Sequence, residues 1–155
     1  MSLPEEPKER VRAILEKILE EFDLDGTVSV EEDAEAIRAS IDGEDLGLLI
    51  GRHGQTIDAL QLLCFQGAFH GDGERKRVMV DAAGYRERRR EILERQADRA
   101  AEDALRTSAP VELEPMSSQE RRVVHDYLKD RHGLETYSEG DEPSRYVIVS
   151  PVVAD

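Results

Sequence analysis

Behind Pro4 and Pro7, the apolar residues Val11, Ile14, Leu15, Ile18, Leu19 and Phe22 recur at spacings of three and four among charged neighbours. That period lays one apolar stripe along a helix, which Asp25-Gly26 ends. The period then shortens to two. Val28 and Val30 alternate with polar residues over Thr27–Glu31, Glu32-Asp33 offers a turn, and Ile37, Ala39 and Ile41 alternate over Ala36–Ile41. This pair predicts a β-hairpin. After Asp42-Gly43 a short helical stretch carries Leu46, Leu48, Leu49 and Ile50. A further helix carries Ile57, Leu60, Leu63, Cys64, Ala68 and Phe69 until Gly71-Asp72-Gly73 stops it, and Val78 and Val80 mark a third strand over Arg77–Asp81.

Residues 85–107 predict a long charged helix with a thin apolar side made of Ile92, Ala97, Ala100, Ala101, Ala104 and Leu105. Such a helix commonly bridges two domains. Pro110 ends it, and Val111–Glu114 reads as a short strand. Ser117-Ser118-Gln119-Glu120 then offers a helix start, with Ser117 as N-cap and Glu120 closing a capping box. Val123, Val124, Tyr127 and Leu128 follow on that helix, Gly133 ends it, and Leu134–Ser138 and Arg145–Ser150 form two strands joined through Gly140. The expected organisation is α+β: a domain over 1–82, a linker helix over 83–108 packing on the second domain, and a small α/β domain over 109–155. So short a last unit is marginal by itself.

A formal net charge of −14 argues at first sight against a nucleic-acid partner, because phosphate binders usually show a basic face. The charge is uneven, however. Residues 75–108 hold 10 basic against 7 acidic groups, a net of +3, while the rest of the chain is acidic. The plain alternative for this segment is a solvated helix laced with Glu–Arg pairs. Local charge still outweighs the total when screening acts over about 8 Å. The single cysteine, Cys64, sits in an apolar helical pattern and reads as a buried structural thiol. No apolar run reaches membrane-spanning length and no signal peptide is visible, which suits a cytoplasmic protein without membrane insertion.

Two constellations carry chemistry. The first is Ile50-Gly51-Arg52-His53-Gly54, an I-G-x-x-G turn between two apolar helical segments. Two glycines three apart let the backbone turn tightly and approach a ligand, and the free N–H groups of the following helix favour a phosphate. Arg52 and His53 add a fixed cation and a titratable donor at the tip. The plain alternative is a helix-to-helix turn with a glycine C-cap. The second constellation is Arg121-x-x-x-His125, four apart and therefore on one helix face. Arg122, Lys129 and Arg145 are the neighbouring cations, and Thr136-Tyr137-Ser138-Glu139-Gly140 brings hydroxyls close if the strand packs beside the helix. These groups contact phosphates and stack on bases. The plain alternative is a solvated pair on a surface helix. We expect both Arg121 and His125 to face solvent, the alternative for His125 being a structural hydrogen bond to the neighbouring strand.

The segments I-G-R-H-G-Q-T-I-D-A-L-Q, V-D-A-A-G-Y-R-E-R-R, M-S-S-Q-E-R-R-V-V-H and T-Y-S-E-G-D-E-P-S-R-Y-V-I-V, in this order, resemble the bacterial Jag family, the SpoIIIJ-associated proteins. The resemblance runs from the first helix to Pro151. It implies a type II KH domain, whose helix–strand–strand–helix–helix–strand order the periodicity also gives, joined to an R-3-H domain. It implies that Gly51, Arg52, His53 and Gly54 form the KH phosphate clamp and that Arg121 and His125 are the Arg and His of the second motif. Many members carry an amino-terminal Jag domain and a charged linker, and this sequence shows neither. The family is one of cytoplasmic RNA-binding proteins linked to cell elongation and division, some of which pair with a small single-KH-domain protein.

The expected function is therefore non-catalytic binding of single-stranded RNA, with single-stranded DNA as a related ligand. The KH groove takes about four unstacked nucleotides, with Ile50 and Ile57 against the bases. The proposed contacts are Ile50, Gly51, Arg52, His53 and Gly54 in the first domain and Arg121, Arg122, His125 and Arg145 in the second. The alternative is a protein–protein adaptor with a degenerate KH unit, whose thin-sided linker helix offers a homodimer surface. Enzyme chemistry ranks last. His53, His70, His125 and His132 lie on separate elements, and no H-E-x-x-H, C-x-x-C, G-x-S-x-G or Walker pattern appears. His70 with Asp72 reads as a surface pair rather than a metal site, so no metal or cofactor is expected.

Overall fold

In the computed structural model, which describes residues 2–71 and 73–153, the first apolar stripe forms α1 (Pro7–Glu21), with proline in its first turn where the missing N–H costs nothing. Then come β1 (Thr27–Glu32), β2 (Ala36–Asp42), α2 (Gly47–Ile50), α3 (Gln55–Ala68) and β3 (Arg77–Ala82). The expected role of Asp72 in stopping α3, and its pairing with His70, fall outside the described residues. The hairpin turn is held by Asp33, whose Oδ1 accepts from the N–H groups of Glu35 (2.8 Å) and Ala36 (2.9 Å).

β2 lies between its two partners, antiparallel to β1 (Val30↔Ala39) and parallel to β3 (Ala39↔Val80). The parallel step is what α2 and α3 span, as a crossover requires. The alternating residues Val28, Val30, Ile37, Ala39, Ile41, Val78 and Val80 face α1 and α3 and meet Val11, Leu15, Leu19, Ile57, Cys64 and Ala68. Cys64 is fully buried, and burial pushes its thiol up to about 12, so it packs as a small apolar side chain. This is the type II KH order.

The chain divides into two compact units, one running to Arg86 and the other from Glu87. The division falls inside α4 (Tyr85–Thr107). The second unit continues with β4 (Val111–Glu112), α5 (Ser118–Leu128), β5 (Leu134–Glu139) and β6 (Tyr146–Pro151). β6 is the middle strand, antiparallel to both neighbours. Leu93, Ala97, Ala100, Ala101 and Ala104 of α4 pack with Val124, Leu128, Val147 and Val149. The apolar side of α4 thus uses Leu93, while Ile92 and Leu105 stand 37% and 49% exposed. Because this side is internal to the second unit, it is not the dimer surface that the sequence offered. The architecture is α+β throughout.

Candidate nucleic-acid interface

The first turn is built from a conformation that only glycine tolerates. Gly51 has φ +74° and ψ −177°, a region other residues essentially never occupy. A Cβ at Gly51 would lie 2.2 Å from Thr56 Oγ1. His53 (φ +53°) and Gly54 (φ +78°) are left-handed, and α3 begins at Gln55. A Cβ at Gly54 would lie 2.7 Å from Tyr85 Cε1. Each glycine therefore leaves space that a neighbouring side chain already fills. Arg52 and His53 are exposed at the tip, and among the described residues their side chains have no hydrogen-bond or ion-pair partner. Two available donors stand ahead of the positive end of a 14-residue helix, an arrangement suited to an anion. Ile50 is half-buried against the first core, whereas Ile57 is fully buried within it. Ile57 therefore has no surface for a base, which corrects the expectation placed on it.

The second constellation faces inward. Arg121 is only 7% exposed. Its Nη1 donates to the Met116 carbonyl at 2.7 Å and its Nη2 to a Glu142 carboxylate oxygen. His125 is half-buried, with Nδ1 2.7 Å from Thr136 Oγ1 and Nε2 2.9 Å from Ser138 Oγ. Burial first, and then the Arg121 guanidinium, lower the His125 pKa from its usual value, with Asp126 opposing. The solvent-facing placement of both residues is thus corrected, and the hydrogen bond from His125 to the neighbouring strand is the geometry present. The cause lies in the sequence: positions 121, 124, 125 and 128 share one helical stripe, and Val124 and Leu128 are core residues. Arg145 also turns onto backbone, donating from Nη1 to the Gly140 carbonyl (2.7 Å) and from Nη2 to that of Ser138 (3.2 Å). Arg122 alone of these four points out, its side chain 84% exposed and 3.8 Å from Asp126.

Ser117 caps α5, its Oγ accepting from Glu120 N–H at 3.2 Å. The reciprocal half of the capping box is replaced. Glu120 accepts from Arg89 Nε at 2.6 Å instead, both side chains being largely shielded. Much of the basic segment is spent in the same way. Arg90 pairs with Glu87, Arg106 with Asp103, Arg86 with Asp58 and Lys76 with Glu32. The plain reading of Glu–Arg pairing therefore accounts for a good part of it.

Thr56, Tyr85 and Glu142 lie within the segments that carry the family resemblance, but the sequence assigns them no role, since none belongs to a reactive pattern. The one available signal was the glycine pair itself, because a glycine forced by φ or by crowding implies a neighbour in the missing side chain's place. Among the described residues, no group of three or more His, Cys, Asp or Glu is placed to hold a metal ion, and no helix is long and apolar enough to cross a membrane.

Comparison with known proteins gives matches over both units. Residues 8–80 match the KhpA/KhpB KH domain and residues 91–151 the R-3-H domain. The chain is 36% identical over 147 residues to RNA-binding protein KhpB of Bacillus subtilis (strain 168), covering 94% of this chain and 71% of that protein. It is 38% identical to RNA-binding protein KhpB of Clostridium symbiosum over 88% of this chain and 62% of that protein. The identity is 33% to the protein of the same name from Streptococcus pneumoniae serotype 2, over 90% of this chain and 42% of that one. These matches indicate no enzymatic family. With a KH unit and an R-3-H unit in the same order, and a relative above 30% identity spanned over more than two thirds of its length, the chain belongs to the KhpB, or Jag, family.

Proposed function

We propose that this protein is a cytoplasmic, non-catalytic binder of single-stranded RNA that acts through two modules and regulates RNAs linked to cell elongation and division. The KH unit takes residues 1–82 with the first turn of α4, the linker helix belongs with the second unit, and the R-3-H unit supplies an adjacent contact. The observation that carries the reading is the exposed Gly51–Gly54 turn, with Arg52 and His53 unengaged among the described residues. The turn amides and Arg52 take the backbone, and Ile50 meets a base. In the second unit Arg122 is the phosphate contact. Arg121, His125 and Arg145 shape the surface around it rather than reaching the strand. Two weak sites on one strand gain affinity through effective concentration. The names of the relatives support this reading.

The test is fluorescence anisotropy with a labelled single-stranded RNA oligomer, repeated across a salt series. Affinity should fall with log salt at a slope of about 0.7 per phosphate contacted. Replacing Arg52 and His53 together with Asp should weaken binding at least about tenfold, near 1.4 kcal/mol, at unchanged melting temperature. A folded double variant with wild-type affinity would refute the clamp. A single-stranded DNA of the same sequence, used as competitor, measures the preference for RNA.

A second reading has its own observation. Leu62 and Leu63 on α3 are 60% and 51% exposed, an apolar surface suited to pairing with a second copy or with a small single-KH-domain protein. Light scattering during gel filtration, with and without such a protein, distinguishes these.

A further inference from the structure

The turn Asp81-Ala82-Ala83-Gly84-Tyr85-Arg86 lies outside the proposed contacts, yet it is tied to the Gly51–Gly54 turn from two sides. Ala83 and Gly84 are both left-handed, at φ +50° and +65°, which folds the chain back from β3 into α4. Asp81 Oδ1 fixes that fold by accepting from Ala82 N–H (2.9 Å) and Arg86 N–H (3.2 Å), and Ala83 N–H donates to the Ile41 carbonyl at 2.9 Å. The outcome is that Tyr85 lays its ring edge against Gly54. A Cβ there would lie 2.7 Å from Cε1, 3.4 Å from Cζ and 3.3 Å from Oη.

Arg86 holds the other side. Its Nε donates to the Val80 carbonyl at 2.9 Å, its Nη1 to Asp58 Oδ1 at 2.8 Å and its Nη2 to Gln61 Oε1 at 3.1 Å. Gln61 Oε1 also accepts from Val80 N–H at 2.9 Å. Asp58 and Gln61 lie in the first two turns of α3, the helix that starts at the turn. A planar guanidinium reaches β3 and α3 with donors on three separate nitrogens, a rigid fork that the single nitrogen of an ammonium does not reproduce.

We propose that Tyr85 and Arg86 are positioning residues for RNA backbone recognition. The ring of Tyr85 holds the Gly54 backbone, and the Arg86 fork holds the start of α3, so that the turn amides and Arg52 are aimed before the strand arrives. This rests on the reading of the Gly51–Gly54 turn as the RNA contact. The physical ground is preorganisation: a turn that samples several shapes must be ordered on binding and loses affinity by that amount.

The experiment uses the full chain, a labelled single-stranded RNA oligomer, and nitrogen–proton spectra of the glycine amides. Tyr85→Ala should reduce affinity about tenfold and should broaden or split the Gly51 and Gly54 amide resonances in the absence of RNA. Tyr85→Phe keeps the ring and should restore both readouts to within about twofold. Arg86→Lys keeps the charge without the fork and should shift the same resonances with a smaller loss, which keeps the proposal testable if the Tyr85→Ala chain fails to fold. Unchanged glycine amides in a folded Tyr85→Ala or Arg86→Lys protein would overturn the proposal, and so would a Tyr85→Phe protein as impaired as Tyr85→Ala. If the Arg52 and His53 double replacement leaves affinity intact while the Tyr85 and Arg86 variants disturb the glycine amides, the RNA reading of the turn fails and the positioning of the turn stands.

Discussion

His125 and Thr136 are joined across α5 and β5 by a 2.7 Å contact between Nδ1 and Oγ1, and Ser138 takes the other ring nitrogen at 2.9 Å. The imidazole is a cross-brace with a hydroxyl at each end, and burial first, then the nearby Arg121 guanidinium, disfavours its cationic form. A histidine whose folded pKa is depressed binds fewer protons folded than unfolded. Its contribution is therefore complete above the unfolded pKa of about 6.5 and is lost as pH falls through the lower folded value. Calorimetric melting of the second unit should drop as pH is lowered from 7.5 toward 5.5, taken as an approximate window around the reference pKa. His125→Gln should be less stable at pH 7.5 and flatter across this window. An equally steep variant would assign the pH dependence elsewhere.

Arg121 and Arg122 are neighbours in sequence with opposite roles. Arg121 satisfies the Met116 carbonyl and the Glu142 carboxylate from a buried position. Removing it leaves a buried acceptor unpaired, so Arg121→Met should destabilise the second unit by about 2 kcal/mol in urea unfolding. Arg122→Ala should stay within about 0.5 kcal/mol. In RNA titrations it should lower the salt slope by about 0.7, one phosphate's worth. Reversed outcomes, with Arg122 structural and Arg121 setting the slope, would restore the solvent-facing assignment.

How far the chain could be read from its pattern depended on which force set each position. Periodicity located α1, the hairpin, α3 and β3 because burial alone decides them: Val11, Leu15, Leu19, Val28 and Val80 are where the stripes and alternations put them. It offered the hydroxyls of the Thr136–Gly140 run to His125 only if the strand packs beside the helix, and the packing of β5 on α5 selects Thr136 and Ser138. It went astray where a polar side chain is buried for its hydrogen bonds. The spacing of Arg121 and His125 gave a common face correctly, but which face was settled by Val124 and Leu128 in the same stripe. In α4 both Ile92 and Leu93 fit an apolar side, and only tertiary packing chose Leu93. Tyr85 was unreadable because a contact across the fold, not local pattern, brings it to Gly54, whereas Thr56 reaches Gly51 locally, from the first turn of α3, in a geometry set by the backbone of the turn.

Gly51 tests the turn's backbone directly. Its φ of +74° with ψ of −177° costs any other residue roughly 1–3 kcal/mol, and the Cβ would also collide with Thr56 Oγ1 at 2.2 Å. Gly51→Ala should therefore lower stability of the first unit and weaken RNA binding together. Combining it with Thr56→Ser, which retains the hydroxyl, should give no relief, whereas Thr56→Ala should recover part of the stability because the clashing oxygen is gone. Full tolerance of Gly51→Ala, by melting and by anisotropy, would show that the turn relaxes freely.

The division of the chain inside α4 makes a prediction about fragments. Residues 109–155 contain β4, α5, β5 and β6 but not Leu93, Ala97, Ala100, Ala101 and Ala104, which line the same core as Val124, Leu128, Val147 and Val149. A unit of 47 residues stripped of that helix exposes the apolar surface the helix covers, and domains this small have little stability to spare. The 109–155 fragment should show no cooperative melting, and residues 87–155 should show a distinct transition. At the other end, a 1–82 fragment loses the Arg86 bonds to Val80, Asp58 and Gln61 and the Tyr85 ring against Gly54. Extending it to 1–90 should raise its melting temperature by several degrees, since about 1 kcal/mol shifts a domain of this size by about 4–8 °C. Equal melting of the two first-unit fragments, or a sharp transition from 109–155 alone, would place the boundaries at the ends of α4 rather than within it.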